Sequence, residues 1–260
     1  MLTNKIMMDR FEKLLKTNKK LDKKHGKAAR YLVSGLTLAP GNISGHEVCQ
    51  WRGVCLGACV LHFAGRRVMP IVRARAKRIT KWLFSDRQSF ETQLRSDIAA
   101  HIVRSKKLGL SPVIRLNVAS DLDWIHIVRE FPAVVFYDYT KSSARMLDYI
   151  SGRLPKNYYL TFSDSEKTNN TFLRLVLESG CNVARVFDVK YNPQSGIFGS
   201  LLKTVCVDGL WVKVIDGDLH DVRIPSVDGC GVVIGLRLKG TNKAKKHAIR
   251  GGFAKTRGEK

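Results

Sequence analysis

The sequence predicts an α/β fold with parallel strands, on three observations. Six short, β-branched and apolar stretches recur along the 260 residues, most are followed by a helix-patterned stretch, and nearly all end in polar or ionisable residues. Strands alternating with helices pair in parallel, with the helices packed outside. In order the strands are Tyr31–Leu38, Pro112–Val118, Ala133–Tyr139, Tyr158–Phe162, Asn182–Val189 and Leu210–Ile215. Their carboxyl ends carry Asp121, Lys141, Asp164 with Glu166, Asp188, and Asp216 with Asp218. A barrel gathers such ends around one mouth, whereas a doubly wound sheet concentrates function at one switch point. No glycine-rich phosphate loop follows the first strand. The expected layout is therefore six β–α units forming an open or partial TIM-like barrel with parallel strands.

The helices follow from apolar spacing and from their ends. Arg66 to Phe84 is a basic helical stretch with Pro70 near its first turn. Ser85-x-x-Gln88 has capping-box form and opens a helix whose Phe90, Leu94, Ile98 and Ile102 share a face, up to Gly109. Asp121 is placed to cap a helix carrying Trp124, Ile127 and Val128, which Pro132 ends. Ser142 caps another with Met146, Leu147 and Ile150, and a third carries Phe172, Leu175 and Val176 up to Gly180. Residues 1–30 read as a basic amphipathic helix or arm with Phe11, Leu14 and Leu15 at helical spacing. The barrel-like domain then spans residues 31–236. Residues 237–260, rich in Gly, Lys and Arg, read as a basic, mobile tail.

The formal net charge of +23 is unevenly spread. Residues 1–30, 60–85 and 237–260 carry nearly all of it, and the rest of the chain is close to neutral. Basic arms on a neutral body are the electrostatic footprint of a polyanion-binding protein, and the expected partner is nucleic acid, DNA or RNA. The side chains assigned to it are Arg66, Arg67, Arg73, Arg75, Lys77, Arg78, Lys243, Lys245 and Lys246. No run approaches the roughly 20 apolar residues of a membrane span, and the lysine-rich start lacks the apolar centre of a secretion signal. The expected location is the cytoplasm, with no membrane partner.

Cys49, Cys55 and Cys59 fall within eleven residues after the first strand, whereas Cys181, Cys206 and Cys230 are scattered and read as small buried hydrophobes. Three thiolates so close can ligate one metal ion or three irons of a four-iron cluster. An iron–sulfur cluster with an open coordination position and a zinc site completed by His46 or His62 both remain open. Asp216-x-Asp218-x-His220-Asp221 is the densest ionisable cluster, readable as a divalent-cation site or as a polar turn bending at Gly217. Tyr137 and Tyr139 share a strand face and are either core aromatics or a platform for a base, with Lys141 meeting a phosphate. The assigned catalytic residues are Asp121, Lys141, Asp216, Asp218 and His220, with Asn117 and Ser163 assigned to cofactor binding.

The run Ala39-Pro40-Gly41-Asn42, the three cysteines, Arg115-Leu116-Asn117 with Ser120-Asp121, and Phe136-Tyr137-Asp138-Tyr139-Thr140-Lys141-Ser142 resemble the phage gene 88 protein family over roughly Leu38 to Asp188. The resemblance implies a phage or mobile-element origin, and hence the host cell's cytoplasm. That layout is similar in turn to the radical S-adenosylmethionine enzymes, with cluster cysteines after the first of six strands. Here the cysteines are spaced by five and three residues, wider than in those enzymes, and Val60-Leu61 stands where gene 88 relatives have Tyr-Ala. S-adenosylmethionine binding is not part of the expectation. Two functions are expected from different classes: a metalloenzyme with a cysteine-bound iron–sulfur cluster acting on nucleic acid or nucleotides, or a nucleic-acid-binding accessory of replication or packaging with structural zinc.

Overall fold

The structure is a computed structural model and describes residues 12–17, 21, 23–59, 69–192, 194–195 and 197–256. All six expected strands are present, and five more accompany them. The order is β1 (Tyr31–Gly35), α1 (Gly41–Ser44), α2 (Pro70–Ser85), α3 (Arg87–Lys107), β2 (Ser111–Arg115), α4 (Ile125–Glu130), β3 (Val135–Thr140), α5 (Ser143–Ile150), β4 (Tyr158–Ser163) and α6 (Asn170–Glu178). Then come β5 (Asn182–Phe187), β6 (Tyr191–Asn192), β7 (Ile197–Phe198), β8 (Thr204–Val207), β9 (Leu210–Asp216), α7 (Pro225–Asp228), β10 (Val233–Arg237), α8 (Asn242–Arg250) and β11 (Ala254–Lys255).

Nine strands form one sheet in the order β1-β2-β3-β4-β5-β10-β9-β8, with β11 added to the end of β5. All pairings in this sheet are parallel except the β8–β9 hairpin, and β6 and β7 form a separate antiparallel pair. The sheet ends at β1 and β8 and does not close, so the α/β architecture with parallel strands is that of an open sheet. The physical reason lies in the strand order. It runs with the chain from β1 to β5 and then reverses, because β10 sits between β5 and β9, and no later strand returns to β1.

That order also sets the faces. Crossovers between parallel strands are right-handed, so five strands laid down in one direction put their helices on one side. Phe90 and Leu94 of α3, Trp124 and Ile127 beside and within α4, Met146 of α5 and Val176 of α6 share a single core with Ile114, Phe136, Leu160 and Val183 of the strands. The crossover from β9 back to β10 runs the other way and belongs on the opposite face, where Val222 and Ile224 pack on Val33, Val113 and Tyr137. Val113 and Ile114, or Phe136 and Tyr137, thus part to different cores by strand alternation.

Three local expectations change. Asp86, not Ser85, caps α3, accepting from Ser89 N at 3.0 Å. Residues 12–17, expected as helix, are non-helical, and Lys16 bridges Gly35 at the edge of β1. Leu14 and Leu15 are both buried, and their N–H groups donate to Asp97 Oδ2 at 2.5 and 2.9 Å. A buried acceptor on α3 outweighs helical spacing here. Residues 237–256 are folded: Thr241 caps α8, accepting from Ala244 N, and Ala244, Ala248 and Ala254 are buried. Small apolar residues among the lysines give that segment a packing face which composition conceals. None of the described helices is long and apolar enough to cross a membrane.

Asp97→Ala strands two buried N–H donors. It is expected to cost about 2–4 kcal/mol and to lower Tm by roughly 5–10 °C, read by thermal denaturation against wild type.

Candidate functional site

Active sites of parallel α/β folds form outside the carboxyl ends of the strands, and here those ends surround a cavity of about 260 Å³. Cys49, Cys55 and Cys59 line it, together with Asn117, Asp121, Lys141, Ser163 and Asp218. Eight of the residues singled out in the sequence therefore meet in one place. The cysteine loop, from α1 through a 3₁₀ turn at Val54–Ala58, is seated by close backbone approaches. A Cβ at Gly53 would overlap the Glu166 carboxylate, one at Gly57 the His247 ring of α8, and one at Gly251 the Val54 side chain. Glu166 Oε1 accepts Val54 N at 2.9 Å, and its buried Oε2 has no partner among the described residues.

Asp121 is not a helix cap; Asp123 Oδ1 instead accepts the N–H of Ile125 at 2.8 Å at the start of α4. The Asp121 N–H donates to Val48 O at 2.8 Å, beside Cys49. Its Oδ2 accepts Lys141 N at 2.8 Å and the Thr140 hydroxyl at 3.3 Å, and its Oδ1 accepts Arg145 Nη1 at 2.6 Å. One buried aspartate thus joins the cysteine loop, through its backbone N–H, to the end of β3, through its carboxylate. Lys141 Nζ donates to Ser163 Oγ at 2.6 Å and lies 5.3 Å from the centre of the Phe253 ring. Asn117 spends its amide on the turn after β2. Its Oδ1 accepts Ser120 Oγ and Leu122 N, and its Nδ2 donates to Leu122 O and Asp138 Oδ2. Burial pushes the Cys49 thiol up to about 12, with Asp121 adding to the shift and Lys141 opposing it. A thiolate there needs a strong positive centre.

Asp216 and His220 do not line this cavity. Arg237 Nη1 meets Asp216 Oδ1 at 2.7 Å and Asp218 Oδ2 at 3.3 Å, and Lys239 pairs with Asp218 Oδ1. Burial works to raise both carboxyls, but these cations hold them below the usual range. Asp216 Oδ1 and both Asp218 oxygens are therefore paired with Arg237 or Lys239. His220 Nδ1 lies 3.1 Å from Val222 O, and burial beside Arg223 lowers the imidazole to about 4, so it is neutral near pH 7. Among the described residues, no three His, Cys, Asp or Glu side chains are grouped to hold a metal ion. His46 stacks on Phe84 with ring centres 4.4 Å apart; His62 lies outside the described residues.

Arg66 and Arg67 also fall outside the described residues. Arg75 and Arg78 pair with Glu12 at 3.0 and 2.7 Å, so both bind the amino-terminal segment. Arg73 is half-buried on α2 and Lys77 exposed. Lys243 and Lys246 are exposed on α8, and Lys245 Nζ lies 5.7 Å from the centre of the Phe198 ring. Tyr139, one of the two aromatics singled out on β3, lines the cavity, and reasoning from sequence missed Arg115, Arg237, Lys239 and Phe253, which also line it. Arg115 is buried, meets Asp221 Oδ2 at 3.0 Å and lies over the Tyr139 ring at 4.5 Å. Tyr137 donates to the same Asp221 oxygen at 2.9 Å, and Tyr139 OH accepts from Arg223 Nε at 2.8 Å. An arginine inside the apolar run of β2 was the available signal for this network.

Gly57→Ala is expected to cost about 1–2 kcal/mol through overpacking and to speed alkylation of Cys55 and Cys59. Adding His247→Ala should restore both, as read by thermal denaturation and thiol mass labelling.

The family described as Gene product 88 matches residues 12–254. No curated protein and no solved structure matches the chain. The chain belongs to the Gene product 88 family.

Proposed function

We propose that this chain is a phage metalloprotein that holds an iron–sulfur cluster on Cys49, Cys55 and Cys59 and acts on nucleic acid or nucleotides at the same mouth. The observation carrying the proposal is that all three thiols line one cavity with Lys141, Ser163 and Asp121. In this reading the chain-ordered strands β1–β5, with β10 beside them, are part of an α/β barrel that never closes.

The donor set suits a cluster better than a lone zinc ion. Zinc needs its ligands to converge on one point, and no such group is present among the described residues. A four-iron cluster binds each thiolate to a different iron, so its ligands need only face a common space. Held by Cys49, Cys55 and Cys59, such a cluster would supply one-electron chemistry. The residues around it have separable tasks. Lys141, through its ammonium and its contact with Ser163, offsets thiolate charge and offers a donor to an anionic ligand. Phe253 and the half-buried Tyr139 give aromatic faces to the cavity. Exposed Lys243 and Lys246 lie on α8, whose His247 abuts Gly57 of the cysteine loop, so a basic face adjoins the mouth.

The test is anaerobic purification of the full chain, followed by iron and acid-labile sulfide analysis and an absorption spectrum. Iron and sulfide with a broad visible band, lost in the Cys49→Ala, Cys55→Ala, Cys59→Ala triple variant while far-UV circular dichroism is kept, is the expected result. One zinc per chain without iron would replace this reading with the structural-zinc binder. Absence of both after reconstitution with iron and sulfide would overturn the metal reading.

A further inference from the structure

The sequence gives no reason to connect Cys181 with Cys230, which are 49 positions apart. The fold places them at the same spot. Cys181 immediately precedes β5, and Cys230 lies three residues before β10, the strand paired with β5. Gly231 N donates to Gly180 O at 3.0 Å, joining the neighbours of the two cysteines. Asn182 then ties the same two segments together, donating through Nδ2 to Gly229 O at 2.9 Å and accepting Val232 N on Oδ1 at 3.0 Å. Neither thiol is a buried hydrophobe: Cys230 is exposed and Cys181 half-buried. Cys181 also borders a cavity of about 20 Å³ shared with Tyr149, which leaves its side chain room to turn.

We infer that Cys181 and Cys230 form a redox-active thiol pair that takes low-molecular-weight disulfides such as oxidised glutathione, at the end of the sheet opposite the mouth. Exposed Cys230 is the entry sulfur. Its thiolate attacks one sulfur of the small disulfide, forming a mixed disulfide and releasing one small thiolate. The Cys181 thiolate then attacks Cys230 Sγ, the protein disulfide forms, and the second small thiolate leaves. Two protein thiols are oxidised while one small disulfide is reduced to two small thiols. Burial pushes the Cys181 thiol up to about 11, with Cys230 adding to the shift, which suits it to the second, intramolecular step rather than to entry. The bond would join β5 to β10 where the strand order reverses, stapling the carboxyl-terminal segment that brings Lys239 and Phe253 to the cavity.

The full chain is incubated with oxidised glutathione, quenched in acid and mapped by peptide mass spectrometry, which separates these cysteines from those of the mouth. The expected result is a Cys181–Cys230 linked peptide that thiols reverse, with Tm raised by several degrees in the linked protein. Cys181→Ser should instead retain glutathione on Cys230. A lasting glutathione adduct on wild-type Cys230 without the linked peptide, or Cys230 joined to a different cysteine, would overturn the pair. Loss of iron from the mouth leaves this result unchanged, so the two proposals fail separately.

Discussion

Asp121, through its backbone N–H and its carboxylate, holds together what the rest of the site depends on. Its own N–H grips Val48 just before the first cysteine, and its two oxygens take Lys141 N, the Thr140 hydroxyl and the Arg145 guanidinium. A side chain only 4% exposed would be costly to bury as an anion without such partners. With them, Asp121 fixes the end of β3 and the start of the cysteine loop relative to one another. The loop is also seated on Glu166, which accepts the Val54 N–H, and against His247, both brought close by glycines.

The strand order gives this clamp its setting. Running β1 to β5 in chain order sends every crossover helix to one face and every strand end to one rim. Reversal at β10 then returns the chain over the opposite face, with buried ion pairs filling what a closed barrel would fill with aliphatic side chains. Arg115 with Asp221, Arg223 with Asp228 and Arg185 with Asp164 all pair at 2.7–3.0 Å. Such pairs contribute little net stability over apolar packing, but losing one partner leaves a buried charge exposed to no solvent. They fix a unique arrangement beneath the cavity.

Six strands were legible because β-branched runs bounded by turn residues are local signals, and the residues at their ends identified much of the cavity. The cysteine loop was legible from spacing alone. Strand β10 was not recognised, although Val232–Leu238 is as apolar as the strands that were, because it lies between a dense polar turn and a lysine-rich segment. The place of β10 between β5 and β9 is not a local property at all. Neither is the role of Asp121: a carboxylate just before a helix-like stretch looks like a cap, and only the neighbouring strand end shows that it serves Lys141 and Arg145. Asp216 and Asp218 stayed open between a cation site and a polar turn because Arg237 and Lys239, some twenty residues on, could not be matched to them by sequence.

The most direct test of this account is Asp121→Ala in the full chain, reconstituted anaerobically with iron and sulfide beside wild type. Bound iron and alkylation of Cys49, Cys55 and Cys59 are then measured together. The account predicts that far-UV circular dichroism stays near wild type, while iron retention falls and all three cysteines lose protection together. Wild-type iron retention with all three cysteines still protected would contradict it.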